Sequence, residues 1–252
     1  MARRVGSLVV AALLLGGCGS HEPGADPSDQ RGPSPPTAAS ASTHMCPRTR
    51  STPLDADLPA RLAAGLGAIS PVKGTLVQDE NVTLTPLEAP TLGGWQVIDV
   101  LVRLPLHPQR FYAALCDDGT ALVLTASPES FSEMTRSAEV LVDDASGATD
   151  LAVLYLDVTR DFDWWSYRID SVSDIGWVMT AEAEEQRTTL QNKYASLIHA
   201  PRAEPSAAGW TVTAWTVYGL TLVRHTMSIT SAGAVHDSQD VVETNIPVPA
   251  SL

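Results

Sequence analysis

Between Tyr155 and Trp177 the chain carries six of its fourteen aromatic residues: Tyr155, Phe162, Trp164, Trp165, Tyr167 and Trp177. Interleaved with them are Asp157, Asp161, Asp163, Asp170 and Asp174. Flat rings beside carboxylates suit a sugar, whose CH face stacks on a ring and whose hydroxyls donate to the acids. In a glycosidase two such acids, suitably spaced, would be the catalytic pair. Alternating aromatics on a strand also serve as ordinary core, each burying roughly 150–250 Å². Trp164 separates the two readings. It lies out of phase with Trp165, Tyr167 and Ile169, so if those three point inward it is exposed, and an exposed Trp is a recognition candidate. The candidate ligand-binding residues are therefore Trp164, Trp165, Tyr167, Asp161 and Asp163. A second cluster comprises His225 and His236 on neighbouring C-terminal strands, with Asp237 or Asp240 nearby. If the two imidazoles meet across a hairpin, they form a metal or acid–base pair; otherwise they are ordinary strand histidines.

Familiar catalytic motifs are missing. The chain has no Gly-x-Ser-x-Gly, no Gly-rich phosphate loop, no His-Glu-x-x-His and no Cys-x-x-Cys. Ser70-Pro71-Val72-Lys73 has the Ser-x-x-Lys spelling of penicillin-binding proteins. Its partner motifs Ser-Asp-Asn and Lys-Thr-Gly are absent, and Gly74 is expected to break the helix that the motif needs. No catalytic residue, metal ligand or cofactor is assigned.

The bulk numbers set outer bounds. A chain of 252 residues that is 44% hydrophobic and 18% charged can build one good-sized core or two small ones. That excludes a wholly disordered chain. A polytopic membrane protein is excluded too, since no apolar run reaches the roughly 18–20 residues that span a bilayer. A net charge of −13 argues against nucleic acid, whose phosphates need a basic surface.

Arg3 and Arg4 precede the apolar run Leu8–Leu15, and the segment ends Leu15-Gly16-Gly17-Cys18. These residues resemble the signal sequence of bacterial lipoproteins, whose lipobox is an apolar residue, two small residues and a Cys. The resemblance covers residues 1–18. It implies removal of 1–17, acylation of Cys18, and a place on the outer face of the cytoplasmic membrane. Losing Arg3 and Arg4 takes the net charge from −13 to −15. Anionic headgroups would repel such a body, so the N-terminal lipid must hold it at the membrane. Lys73 and Lys193 are the only lysines, a bias that fits the codon usage of GC-rich genomes such as those of many actinobacteria. Residues 18–44 are the lipidated Cys and a Gly-, Pro-, Ser-, Ala- and Thr-rich tether with little to bury. In that compartment Cys46 and Cys116 are expected to pair; the alternative is two free thiols.

Residues 45–252 read as an α+β body, mostly antiparallel sheet with a few helices. Helices are expected at 57–66, ended by Gly65 and Gly67, after Ser127-Pro128, and at 181–199, capped by Thr180 with a stripe of Leu190, Tyr194, Leu197 and Ile198. Strands are expected at 72–78, 81–87, 95–104, 111–116, 120–125, 151–158, 165–172, 210–222, 224–230 and 235–242. The first two would form a hairpin across Asp79-Glu80, and Asp118-Gly119 would turn another. Ala89-Pro90, Trp95, Arg110 and Gly119 echo Ala200-Pro201, Trp210, Arg224 and Gly233. The body would then be two related halves, 45–150 and 151–252. The expected function is non-catalytic: binding a cell-wall glycan or an envelope protein. The alternative is a cell-wall glycan hydrolase using Asp residues of 157–174.

Overall fold

The computed structural model describes residues 45–46, 57–89, 91–105 and 107–249, all within the compact unit Ser42–Leu252. The signal segment, Cys18 and the tether lie outside the described residues. Leu58, Leu62 and Leu66 recur every four residues and are buried on one side of α1 (Leu58–Ile69), with Pro59 in its first turn. Gly65 and Gly67 do not end this helix. They sit where backbone approaches backbone: a Cβ on Gly65 would lie 2.5 Å from the Gly119 carbonyl oxygen and 2.8 Å from Ala121 Cβ. The expected strand at 72–78 is also overturned. Pro71 starts a second helix, α2 (Pro71–Val77), through Lys73 and Gly74. Its apolar alternation was misleading because the contact that stabilises it is tertiary. Gly74 faces α1, and a Cβ there would lie 2.8 Å from Gly67 Cα and 2.9 Å from the Ala63 carbonyl oxygen. Gly74→Ala should therefore push the helices apart and cost about 1–3 kcal/mol, read as a lower urea midpoint; an unchanged midpoint would show that the pair yields freely. No hairpin forms across Asp79-Glu80; instead Asp79 accepts from the Asn81 backbone N–H at 2.8 Å and leads the chain into β1.

The first sheet is an antiparallel meander in chain order: β1 (Val82–Leu87), β2 (Trp95–Val102), β3 (Gln109–Cys116) and β4 (Ala121–Val123). The Asp-Gly turn works as read. Gly119 has φ +92°, and Cys116 N–H donates to the Thr120 carbonyl at 2.8 Å. Ile98, Val100, Val102 and Phe111 pack under α1 and α2. The opposite face, with Val97, Tyr112, Ala114 and Cys116, joins a different core. Cys46 and Cys116 form a disulfide with Cα atoms 5.9 Å apart.

Ser127 caps α3 (Pro128–Ser137) by accepting from Ser130 N–H, and Phe131 and Met134 are buried as expected. The expected central strand at 151–158 is a helix, α4 (Ala145–Thr159), capped by Asp144. The reason is its position. Leu151, Ala152, Leu156 and Val158 share one core with the first sheet and with Val212, Ala214, Met227 and Ile229 of the second. A helix packed between two sheets buries more than one stripe, so over Leu151–Val158 its 3.6-residue period is masked. The boundary between the halves, 150/151, falls inside this helix.

The second sheet contains β5 (Ser166–Ile169), β6 (Arg202–Ser206), β7 (Gly209–Tyr218), β8 (Thr221–Thr230) and β9 (Val235–Thr244), all antiparallel. β6 pairs with the first half of β7, and β5 with its last four residues, along one edge. Its outer face, with Ile169, Trp215, Val217 and Leu222, is covered by α5 (Ala181–Tyr194) through Leu190 and Tyr194. Helix α5 ends five residues short of His199; Ile198 is buried but Leu197 is exposed, and the Thr180 side chain makes no cap bond. The fold is thus α+β with two antiparallel sheets. The runs β1–β4 and β6–β9 each place Trp early in their second strand, Arg in the third and a positive-φ Gly in the last turn.

Candidate functional site

Alternation along the strands sends every second residue of β7, β8 and β9 toward α4. At one end of this face the residues are Val212, Ala214, Met227 and Ile229, and the core is dry. At the other end they are Thr216, Tyr218, Val223, His225, Asp237, Gln239 and Val241. β5 adds Ser166 and Arg168, in register with Tyr218 and Thr216. The C-terminal turn of α4 and the chain after it add Tyr155, Asp157, Arg160 and Asp161. These groups enclose a cavity of about 450 Å³, within the roughly 300–1,000 Å³ usual for small-molecule sites.

His225 spans the floor. Its Nδ1 lies 2.9 Å from Asp237 Oδ2 and its Nε2 lies 2.9 Å from Thr216 Oγ1. The carboxylate can only accept, so Nδ1 carries a proton toward it, and Nε2 shares a hydrogen bond with the Thr216 hydroxyl. Gln239 Nε2 also donates to Asp237 Oδ2 at 2.9 Å. The side chains of His225 and Asp237 are only 7% and 4% exposed. Carboxylate, imidazole and hydroxyl in this order can move a proton from the hydroxyl. The expected His225–His236 pair does not form. His225 is in register with Gln239, whereas His236 is opposite Ser228, an odd number of residues away and hence on the other face.

Four residues of the cavity lining each carry a polar atom that is buried away from it and unpartnered among the described residues: Arg160 Nε, Ser166 Oγ, Arg168 Nε and Asp237 Oδ1. Both terminal nitrogens of Arg160 and one of Arg168 are engaged. Arg160 donates to the Ser166 carbonyl at 3.0 Å and to the Tyr112 hydroxyl at 3.1 Å, and stacks 4.9 Å from the Phe162 ring centre. Arg168 is paired with Asp170. Burial pushes the Asp157 carboxyl above its ordinary range, against the pull of Arg168 and then Arg160. The folded state therefore holds this proton more tightly than the unfolded chain does. Asp157 weighs against folding as pH rises from its unfolded value toward its raised one. Asp157→Asn should raise stability at neutral pH and flatten that decline, seen in urea melts between about pH 4 and 8; a steeper decline would contradict the assignment.

The loop that leads into Ser166 carries two exposed tryptophans. Trp164 is 59% exposed and Trp165 is 43% exposed, alongside exposed Tyr218, Leu220 and Val241. Gly219 N–H donates to the Trp165 carbonyl at 2.8 Å, which ties the β7–β8 turn to the loop carrying both tryptophans. Tyr218 donates to Asp161 at 3.2 Å. Of the residues singled out in the sequence, Asp161 and Tyr167 are in the cavity lining, while Trp164 lies beside Gly219. Trp165 keeps phase with Tyr167, their ring centres 5.7 Å apart, but stays 43% exposed because β5 begins only at Ser166. Asp163 is exposed. Tyr167 is half-buried toward α5, where its hydroxyl accepts from Gly176 N–H at 2.9 Å. Sequence reasoning named His225 with Asp237 or Asp240 nearby, but through a pairing with His236 that does not form; it missed Thr216, Gln239, Ser166 and the two arginines. The available signal was polar residues at alternate positions in strands otherwise apolar on that face.

Among the described residues no cluster of three or more His, Cys, Asp or Glu is placed to hold a metal ion, and no helix is long and apolar enough to cross a membrane. A scan against protein-family models and searches of curated proteins and of solved structures find no match to this chain.

Proposed function

We propose that this chain is a lipid-anchored extracytoplasmic lipoprotein that binds a cell-wall component or an envelope protein without turning it over. One observation carries the reading: two exposed tryptophans, Trp164 and Trp165, lie in the loop between Asp161 and Ser166, both of which line a polar cavity. Large rings left in water beside a concavity are characteristic of recognition surfaces. The lipobox residues Leu15-Gly16-Gly17-Cys18 support the anchor. Cys18→Ala should move the protein from the membrane fraction to the soluble one; unchanged retention would refute the anchor. Capture of the full-length chain from solution by purified peptidoglycan or envelope extract should be lost in Trp164→Ala/Trp165→Ala, and capture that survives the double substitution would refute the binding face.

A hydrolase is the second reading, favoured by the raised Asp157 carboxyl, which suits a general acid. Asp157 and Asp161 line the cavity one helical turn apart in sequence. Of the other acids of this stretch, Asp163 is exposed and outside the cavity lining, Asp170 pairs with Arg168, and Asp174 accepts from the Asp170 and Ser171 backbones. Release of reducing ends from peptidoglycan by the wild type, abolished in Asp157→Asn, would replace the binding reading with this one.

A further inference from the structure

We infer that the exposed aromatic face formed by the β7–β8 turn and the loop before β5 docks a basic, apolar-containing segment of an envelope protein. This deepens the binding reading and rests on it. Two chain segments build the face. Trp164 and Trp165 come from the loop, Tyr218 and Leu220 from the turn; all four are exposed, Trp164 most at 59%. Gly219 ties the segments together. Its N–H donates to the Trp165 carbonyl at 2.8 Å, and a Cβ built on it would lie 3.6 Å from Trp164 Cε3, so the indole ring rests against the turn. Tyr218 donates to Asp161 at 3.2 Å across the same junction. Trp164 is therefore held in place while most of its ring stays in water. A surface ordered before the partner arrives loses little entropy on binding.

Charge selects the occupant. Burial, then the Asp161 and Asp163 carboxylates, push the Tyr218 hydroxyl above its ordinary range, so both acids stand at the edge of this face. Asp163 is exposed and has no ion pair among the described residues. Arg160 directs both terminal nitrogens to the Ser166 carbonyl and the Tyr112 hydroxyl, and neither the loop 161–165 nor the turn 218–221 carries a Lys or Arg. A guanidinium or ammonium answers rings and carboxylate together: it stacks on an indole, the best ring partner for a cation, and neutralises Asp163. Leu220 and Trp165 then receive the aliphatic stems and the apolar side chains between the basic ones. The whole chain has the same sign, and its net charge of −13 draws a cationic partner in from solution. Other occupants meet this charge unfavourably. Two copies related by a two-fold axis would set Asp161 and Asp163 against their own counterparts. A lipid surface with anionic headgroups would be repelled. A neutral sugar would stack on the rings but cover Asp163 without a counter-charge.

The test uses the full-length protein in a non-ionic detergent that lacks a sugar headgroup. Fluorescence anisotropy follows three labelled hexapeptides: alternating Arg and Leu, and the same peptide with Gln or with Glu in place of Arg. The Arg peptide should bind saturably and about tenfold more tightly than the Gln peptide, with the Glu peptide weakest. Raising the salt from about 0.05 to 0.5 M should weaken it. Trp164→Ala should weaken it by roughly two- to tenfold, and Asp163→Lys by about tenfold. Both side chains are exposed, so the melting temperature should not move. Asp143→Lys makes the same change of charge at the far end of β8, where Val142 N–H donates to the Ser231 carbonyl, and should leave binding within about twofold of the wild type. An equal loss in Asp143→Lys and Asp163→Lys would reduce the effect to net charge and overturn the inference. So would equal binding of the Arg and Gln peptides, or displacement of the Arg peptide by the β-1,4-linked dimer of N-acetylglucosamine. A dimer in sedimentation equilibrium that Trp164→Ala dissolves would assign the face to a second copy instead. If the Arg peptide fails to bind while envelope capture still depends on Trp164 and Trp165, only the partner class falls; if that dependence is missing too, the binding reading falls with it.

Discussion

Removing the Cys46–Cys116 bond should lower stability by about 4 kcal/mol, by closed-loop entropy for a separation of 70 residues. The bond joins two well-buried residues. Cys116 ends β3 opposite Trp95, and Cys46 is packed in the same core as Leu92 and Trp95. The sulfur atoms are therefore protected from reductant in the folded state, and exchange should be slow until the chain opens. For a body of this size the melting temperature of Cys46→Ala/Cys116→Ala should fall by about 10 °C. Because the cross-link acts mainly by restricting the unfolded chain, its loss should also steepen the urea dependence of the unfolding free energy as the unfolded state expands. Intact-mass measurement without reductant should find the two thiols joined. A double-alanine variant that melts within a degree or two of the wild type would show that the bond contributes nothing.

Local signals in the sequence worked where the structure is decided locally. Ser127-Pro128 with Phe131 and Met134 marks a cap and an apolar face, and Asp118-Gly119 marks a turn that needs a positive φ. Both need only a few adjacent residues. The failures share a different cause. Helix α2 depends on Gly67 and Gly74 meeting backbone to backbone, and no window of sequence contains the reason that contact forms. Helix α4 carries the unbroken apolar run Leu151–Leu156 because it lies between two sheets, so that run reads like a buried strand. The candidate site divides in the same way. The exposed tryptophans and Asp161 lie in one stretch, Asp161 to Trp165, where composition alone drew notice. Its floor is assembled from Thr216, His225 and Asp237 on three strands, and only the register brings them together. The two-histidine reading failed on that register: His236 was one residue out of phase with the face that His225 occupies.

The His225–Asp237 contact is where stability and function meet, and the two can be separated. Asp237→Ala removes the acceptor for His225 Nδ1 and for Gln239 Nε2, with both His225 and the site of the lost carboxylate buried. Two hydrogen bonds to a charged group are lost, each worth about 1.5–3 kcal/mol, so the variant should be destabilised by about 3–5 kcal/mol. His225→Leu/Asp237→Val replaces both partners with apolar groups, leaves neither stranded, and should be clearly more stable than Asp237→Ala. If instead the double variant is as unstable as the single one, the network is needed for folding beyond its own pairing. Thr216→Val completes the comparison, since it leaves the His225–Asp237 bond intact and should cost about 1 kcal/mol or less. A floor built only to cross the strands would leave ligand capture unchanged in any variant that stays folded. A floor built for recognition would lose capture in the stable double variant and in Thr216→Val alike. The decisive comparison is therefore between two variants that both remain folded, with capture measured against urea midpoint for each.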